Sequence, residues 1–299
     1  MEKVSILHLI TAAKNASPFD VNMAFDAGFD KIMPYTRVEL SEVAGLTQDA
    51  IFSRSSSGIK REAIFIGGRD IDLTMDMLEI ARKAMFPPFQ ISAFADPSGA
   101  FTTAAAMLAK VELHLKKHFQ TNLAGKKVAV FGGTGPVGGC VAVIAARQGA
   151  QVELVAHSSL EAARDKAQSY NQRYGTNIDC ADGISEAAKQ AVLDAADIAL
   201  CTAAAGVRVL SAAQIAHSRL LKVVADVNAV EPTGAEGVGV MADGIEIAKT
   251  GVLGIGALAI GNLKYTTQYN LLKQMLAADK PCYLEFMAAF EMAQNLASA

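Results

Sequence analysis

The sequence predicts an α/β protein of two domains, an N-terminal α/β domain followed by a second built on a doubly wound parallel sheet. Three observations carry this. At 299 residues the chain exceeds one typical domain, so two of roughly 150 residues each are expected. The composition is 52% hydrophobic and 19% charged with no tryptophan, that of an ordinary globular α/β protein. Short β-rich runs alternate with helical periods along most of the chain, as βαβ units do.

The N-terminal apolar run, residues 4–10, reads as a strand rather than a secretion signal, because no small-residue cleavage site follows it. Ser17 is a good N-cap and Pro18 a good first helical residue, so a helix opens there and stops at Gly28. Strands are predicted at 63–67 and 90–95. Between them a helix over 72–85 carries Leu73, Met77, Ile80, Ala81 and Ala84 on one face and halts at Pro87-Pro88. A long helix over 100–119, with Met107, Leu108, Val111 and Leu115 at helical spacing, is read as the bridge between domains. Beyond the polar stretch 120–127 follow a strand at 127–131, a glycine-rich turn, a helical run at 141–147, a strand at 151–156, a charged helix at 160–174, and strands at 198–202 and 222–227. Residues 234–239 and 251–261 look least regular. A helix over 283–296 is expected to pack back on the first domain, giving domains of 1–119 plus about 270–299, and 120–269.

Bulk charge excludes some functions. The net charge is −3 with no basic block or acidic tail, so neither nucleic acid nor an anionic membrane is an expected partner. Residues 128–146 are uncharged and about the length of a membrane span. Five glycines and Pro136 at their centre argue against a continuous helix. Cys140, Cys180, Cys201 and Cys282 form no CxxC or disulfide framework, which suits a reducing, cytoplasmic setting. His114 and His118 lie one helical turn apart, but in this charged stretch a solvated face is the better reading, and no metal site is expected.

Gly133, Gly135 and Gly138 form a G-x-G-x-x-G motif with Thr134, Pro136 and Val137 between them. Three glycines at this spacing arise easily by chance. Here, however, they follow a strand, precede a helix and are followed by a second strand at the expected distance, which is the Rossmann dinucleotide-binding arrangement. The glycines would serve a tight turn, close approach of the pyrophosphate and helix-to-strand packing. An NAD-selective site usually places Asp or Glu at the end of the second strand. That strand ends in His157, Ser158 and Ser159, which permit a 2′-phosphate, with Arg164 near in sequence; the cofactor is therefore NADP or NAD. Ser158 reads equally as a helix cap. Asn228, after the strand at 222–227, is a candidate contact to the nicotinamide ribose or carboxamide.

Four segments, residues 17–28, 47–54, 94–103 and 254–264, resemble the methylene-tetrahydromethanopterin dehydrogenases of methylotrophic bacteria, and the resemblance extends over nearly the whole chain. It is closer to the NAD(P)-dependent members than to the strictly NADP-dependent ones, whose second strand ends in arginine. It implies a first domain for the pterin, a Rossmann domain for the nucleotide, a cleft between them, and oxidation of the methylene to the methenyl form with no separate redox cofactor. With the composition, it also implies a homo-oligomer.

Hydride loss from a carbon held between two nitrogens requires positioning more than a general base. A nearby carboxylate favours the developing positive charge. Asp20 and Asp96 are the candidates. Asp20 also fits helix-dipole stabilisation, worth about 0.3–1 kcal/mol, and Asp96 also fits a turn-shaping role. Asn22, Thr102 and Thr103 are candidate substrate contacts, the threonines reading equally as caps. Lys264, a lone ammonium closing an apolar run, is placed with the pterin on the strength of the resemblance. Three other readings stay open. A methylene-tetrahydrofolate dehydrogenase, possibly also a cyclohydrolase, shares the chemistry. A short-chain dehydrogenase would use Tyr269-x-x-x-Lys273, although no serine stands in the stretch before Tyr269. The third is an NAD(P)-sensing protein without catalysis.

Overall fold

A computed structural model describes residues 4–55 and 58–299. The chain divides into two compact units, residues 1–102 with 265–292 and residues 103–264 with 293–299. Both boundaries in the middle of the chain fall inside helices: most of α4 (Ala100–Phe119), expected in the first domain, groups with the second unit, and α9 (Ala257–Ala277) divides at Lys264. A domain boundary inside a continuous helix leaves no change of composition or period to read.

The first unit contains β1 (Ile6–Thr11), α1 (Pro18–Asp26), β2 (Lys31–Tyr35), α2 (Val43–Phe52), β3 (Glu62–Gly67), α3 (Ile71–Lys83) and β4 (Ser92–Ala95). Its parallel sheet has the order β12-β4-β3-β1-β2, where β12 is Tyr283–Leu284. β3 and β4 are buried along their whole length, as strands covered on both faces must be. The Phe65 and Phe94 rings meet edge to face, 5.4 Å apart. β2 escapes a pattern reading because it is a sheet edge containing Pro34 with little buried surface. Ser17 caps α1 with Pro18 at its start, as expected. Asp70 caps α3 through the Asp72 and Leu73 N–H groups, so that helix begins slightly before residue 72. The C-terminal segment differs more. Tyr283 and Leu284 are a strand beside β4, and only then does α10 (Phe286–Ser298) begin, because the open edge of β4 offers backbone partners that a helical period cannot reveal.

The second unit runs through β5 (Lys127–Phe131), α5 (Pro136–Arg147), β6 (Gln151–Ala156), α6 (Leu160–Tyr174), β7 (Ile178–Asp182), α7 (Glu186–Ala195), β8 (Ile198–Cys201), α8 (Ala212–His217), β9 (Val223–Asp226), β10 (Asp243–Glu246) and β11 (Leu253–Ile255). The sheet order is β10-β11-β9-β8-β5-β6-β7, parallel except for β10 at the edge. This is the doubly wound Rossmann order with one antiparallel strand added. Residues 257–261, which looked irregular in sequence, open the 21-residue helix α9.

Candidate functional site

The glycine turn leaves β5 where the strand order reverses, with β6 on one side and β8 on the other, the position at which open α/β sheets bind ligands. Its left-handed residue is Gly132, with φ +85°, one position before the motif singled out in sequence. A Cβ on Gly132 would stand 2.7 Å from the Ala203 nitrogen, and one on Gly133 2.6 Å from the Leu154 side chain. On Gly138 it would overlap the Gly132 carbonyl oxygen. Gly135 differs, because a Cβ there meets only the Gly132 oxygen, at 3.4 Å. Internal packing does not demand glycine at 135. Gly135 is the N-cap of α5 and supplies no side-chain cap, so the first turn of that helix presents its N–H groups there. A glycine-rich turn at a helix N-terminus fits the pyrophosphate of a dinucleotide. Thr134 and Pro136 are exposed on its rim and Val137 is half-buried.

Tyr170 of α6, fully buried, lies under the turn and donates its hydroxyl to the Gly133 oxygen at 3.4 Å. The same ring occupies the place a Cβ on Gly139 would take, which explains a glycine outside the motif.

His157, Ser158 and Ser159 are exposed at the end of β6. Ser159, rather than Ser158, caps α6 by accepting the Ala162 N–H at 3.1 Å. The Ser158 hydroxyl and His157 Nε2 lie 3.4 Å apart. Two cavities meet here. One of about 380 Å³ runs past Thr134, Gly135, His157, Gly183 and Thr202 to Val209. The other, about 340 Å³, is walled by Gly133, Thr134, His157, Ser158, Ser159 and Lys166. Arg164 is exposed and lines neither. Lys166 was legible in sequence: Ser159, Ala162, Ala163, Lys166 and Tyr170 recur at spacings of three and four, on one face of α6, and Arg164 lies off that face.

Asn228 is 5% exposed. Its Oδ1 accepts from the Gly206 and Val230 N–H groups and its Nδ2 donates to the Pro232 oxygen at 3.1 Å. The amide expected to reach the nicotinamide is instead engaged at both ends in shaping the loops after β8 and β9. Asp226, at the end of β9, accepts from the Asn228 and Ala235 N–H groups, while burial pushes its carboxyl above the ordinary range.

In the first unit the order reverses between β1 and β3, and their carboxyl ends carry Thr11, Gly67 and Gly68. Asp20, 4% exposed, turns inward from α1. Its Oδ1 accepts from Gln268 Nε2 at 3.0 Å, and its Oδ2 lies 3.6 Å from where a Gly67 Cβ would stand. Helix-dipole stabilisation needs no such burial. Gln268 is fully buried and its Oε1 has no hydrogen-bond partner. Sequence reasoning missed Gln268, which lies one turn after Lys264 on α9; Lys264 itself is half-buried. Asn22 is exposed on α1, two residues from Asp20 and on a different face.

Asp96 is fully buried and accepts from the Phe101 and Thr102 N–H groups at 2.9 and 3.3 Å and from Thr102 Oγ1 at 2.6 Å. It holds the start of α4, folded back over Ser98 at φ +52°, and the Thr102 hydroxyl expected to meet a ligand donates to Asp96. Of their two readings, turn shaping accounts for these contacts. Thr103, half-buried, is the next residue of α4. Lys273 Nζ lies 5.2 Å over the Tyr269 ring on α9, in the first unit and not in the unit that carries the glycine turn, unlike the pair of a short-chain dehydrogenase. His114 Nε2 is bonded to Asp243 Oδ1 at 2.8 Å. Among the described residues no three or more His, Cys, Asp or Glu gather as metal ligands, and no helix is long and apolar enough to cross a membrane.

The family model described as methylene-tetrahydromethanopterin dehydrogenase, N-terminal, matches residues 18–98. Over 293 residues, 98% of this chain and 99% of the relative, the sequence is 45% identical to the NAD(P)-dependent methylenetetrahydromethanopterin dehydrogenase of Methylorubrum extorquens. It is 34% identical over 191 residues, 64% of this chain and 65% of the relative, to the bifunctional protein MdtA of the same bacterium. Among solved structures it is similar to shikimate 5-dehydrogenase from Listeria monocytogenes in complex with shikimate and NAD (TM-score 0.55, 13% identity, 98% of this chain, 96% of that one). It is also similar to 5-ketofructose reductase of Gluconobacter (TM-score 0.50, 15% identity, 98% and 99%). Those two likenesses are of fold alone. Identity at 45% from end to end is more than fold, and with the glycine cradle intact the chain belongs to the NAD(P)-dependent methylenetetrahydromethanopterin dehydrogenase family.

Proposed function

We propose that this protein takes a hydride from 5,10-methylene-tetrahydromethanopterin and passes it to NAD(P), leaving the methenyl form, in the one-carbon metabolism that oxidises formaldehyde. The observation that carries the reading is a glycine-rich turn at the α5 N-terminus in a chain 45% identical, over 98% of its length, to a relative bearing that name. When bound, the nicotinamide supplies the hydride acceptor.

What the chain's own residues must do is position and stabilise. Residues 132–138 and the first turn of α5 hold the pyrophosphate, and His157 and Ser158 face the adenosine ribose. The carbon losing hydride becomes a cation stabilised by two nitrogen lone pairs, so no base is assigned. Asp20 is the carboxylate we assign to that developing charge, because a buried, fixed negative charge acts there without solvent reorganisation. Gln268 fixes its orientation. Asn22, Thr103 and Lys264 are assigned to polar atoms of the pterin, and Asp96 with Thr102 to holding the loop that follows β4. The pterin is assigned to the N-terminal unit and the nucleotide to the unit that carries the glycine turn. A homo-oligomer in the cytoplasm completes the reading, and native mass measurement tests the oligomer.

The deciding experiment compares turnover of methylene-tetrahydromethanopterin and methylene-tetrahydrofolate, each with NAD and with NADP, following methenyl absorbance and reduced nucleotide together. Equimolar methenyl and NAD(P)H, formed faster from the methanopterin, is the expected result. A large preference for the folate compound overturns the substrate assignment.

A further inference from the structure

The second cavity at the end of β6 extends from the glycine turn past His157 and Ser158 to the α6 side. In a Rossmann site the pyrophosphate lies on the glycine turn, and the adenosine ribose lies at the end of the second strand with its 2′ position against the residues just after it. Those residues are His157, Ser158 and Ser159, and beyond them, on the α6 side, is the cavity of about 340 Å³ that Lys166 lines. Lys189 and Arg208 line the neighbouring cavity instead.

We propose, resting on the assignment of NAD(P) as hydride acceptor, that Lys166 is the residue that receives the 2′-phosphate of NADP, and that this single lysine on α6 replaces the strand-end arginine of NADP enzymes and is the basis of dual nucleotide use. Three features of the cavity support this. Lys166 Nζ lies 4.9 Å above the ring of Tyr170, and that ring is fixed because it is fully buried with its hydroxyl on the Gly133 oxygen. The ammonium is therefore held by the same side chain that supports the pyrophosphate turn, so phosphate and ribose subsites keep a constant separation. Ser158 and His157 add hydroxyl and imidazole donors at the mouth. No carboxylate occupies the strand end at 157–159, so nothing there repels the phosphate or clamps the bare ribose hydroxyls of NAD.

The test is nucleotide binding without any pterin, followed by NADPH and NADH fluorescence on the full-length protein and by displacement with adenosine 2′,5′-bisphosphate. Lys166→Met should raise the dissociation constant for NADPH about tenfold or more, the effect of losing one charge-assisted hydrogen bond. NADH should move by less than about twofold. Displacement by the 2′,5′-bisphosphate should weaken in parallel with NADPH, and Lys166→Arg should restore most of the NADPH affinity. Equal weakening of both nucleotides would mean that Lys166 acts only through Tyr170 and the turn, and would overturn the proposal. So would unchanged NADPH binding in Lys166→Met. If the wild-type protein bound neither nucleotide, the dehydrogenase reading itself would fail, a result distinct from either of these.

Discussion

Replacing Gly135 or Gly138 with alanine adds the same methyl group three residues apart, yet the two variants should fail in different ways. At Gly138 the new carbon overlaps the Gly132 oxygen and lies 2.6 Å from Thr202 Oγ1 and 2.8 Å from the Gly132 carbonyl carbon. Two of these three atoms are backbone, so the turn or α5 must move, an overpacking cost of about 1–3 kcal/mol. Alanine in a helix recovers about 1 kcal/mol of that. The net loss, at the upper end about 2 kcal/mol, lowers the melting temperature by about 4–8 °C in a unit of this size. At Gly135 the methyl meets only the Gly132 oxygen at 3.4 Å. Loss of a glycine N-cap, up to about 1 kcal/mol, is offset by a comparable gain from restricting the unfolded chain, so stability should change little. The methyl instead stands where the pyrophosphate approaches, and NADH affinity should fall at least about tenfold. Scanning fluorimetry and NADH titration on both variants separate the two effects. Wild-type NADH affinity in Gly135→Ala, or a melting loss equal to that of Gly138→Ala, would refute the reasoning.

Asp20→Asn keeps the volume and removes the charge; kcat should fall about tenfold or more while NADH binding is unchanged, and a kcat within twofold of wild type would return Asp20 to a helix-dipole role. Tyr170→Phe removes the bond to the Gly133 oxygen and should lower stability by about 1 kcal/mol, read as the urea midpoint of the second unit. Asp243 is partly buried, which raises its carboxyl pKa, but its bonds to His114 and Lys110 outweigh this and hold it below the ordinary value. A depressed carboxyl contributes stability above its unfolded pKa, about 4, and loses that contribution as pH falls through the lower folded value. Asp243→Asn should therefore be less stable than wild type at pH 6 by about 1 kcal/mol or less, solvent screening being considerable at 41% side-chain exposure, and the gap should close toward pH 3. A gap that widens on acidification contradicts the ion-pair account. Tyr269→Phe should leave turnover nearly intact, and a collapse would revive the short-chain dehydrogenase reading.

The glycine motif, the strand at 127–131, the helices at 100–119 and 160–174, and the Ser17-Pro18 helix start were determined by the sequence alone, because each depends on residues within a few positions of one another: caps, periods and turn chemistry are local. The face of α6 that carries Lys166 was equally local and was there to be read. The tertiary structure decided the rest. Gln268 meets Asp20 across 248 positions, Tyr170 supports Gly133 across 37, and β12 joins β4 from the far end of the chain. Nothing in the period or propensity of either partner announces the other. Local rules also offered two uses for Asp96, Thr102 and Asn228, as ligand contacts or as internal supports, since a carboxylate, hydroxyl or amide suits both. Only the folded chain, by bringing specific N–H and C=O groups to each of them, shows which groups their side chains bond.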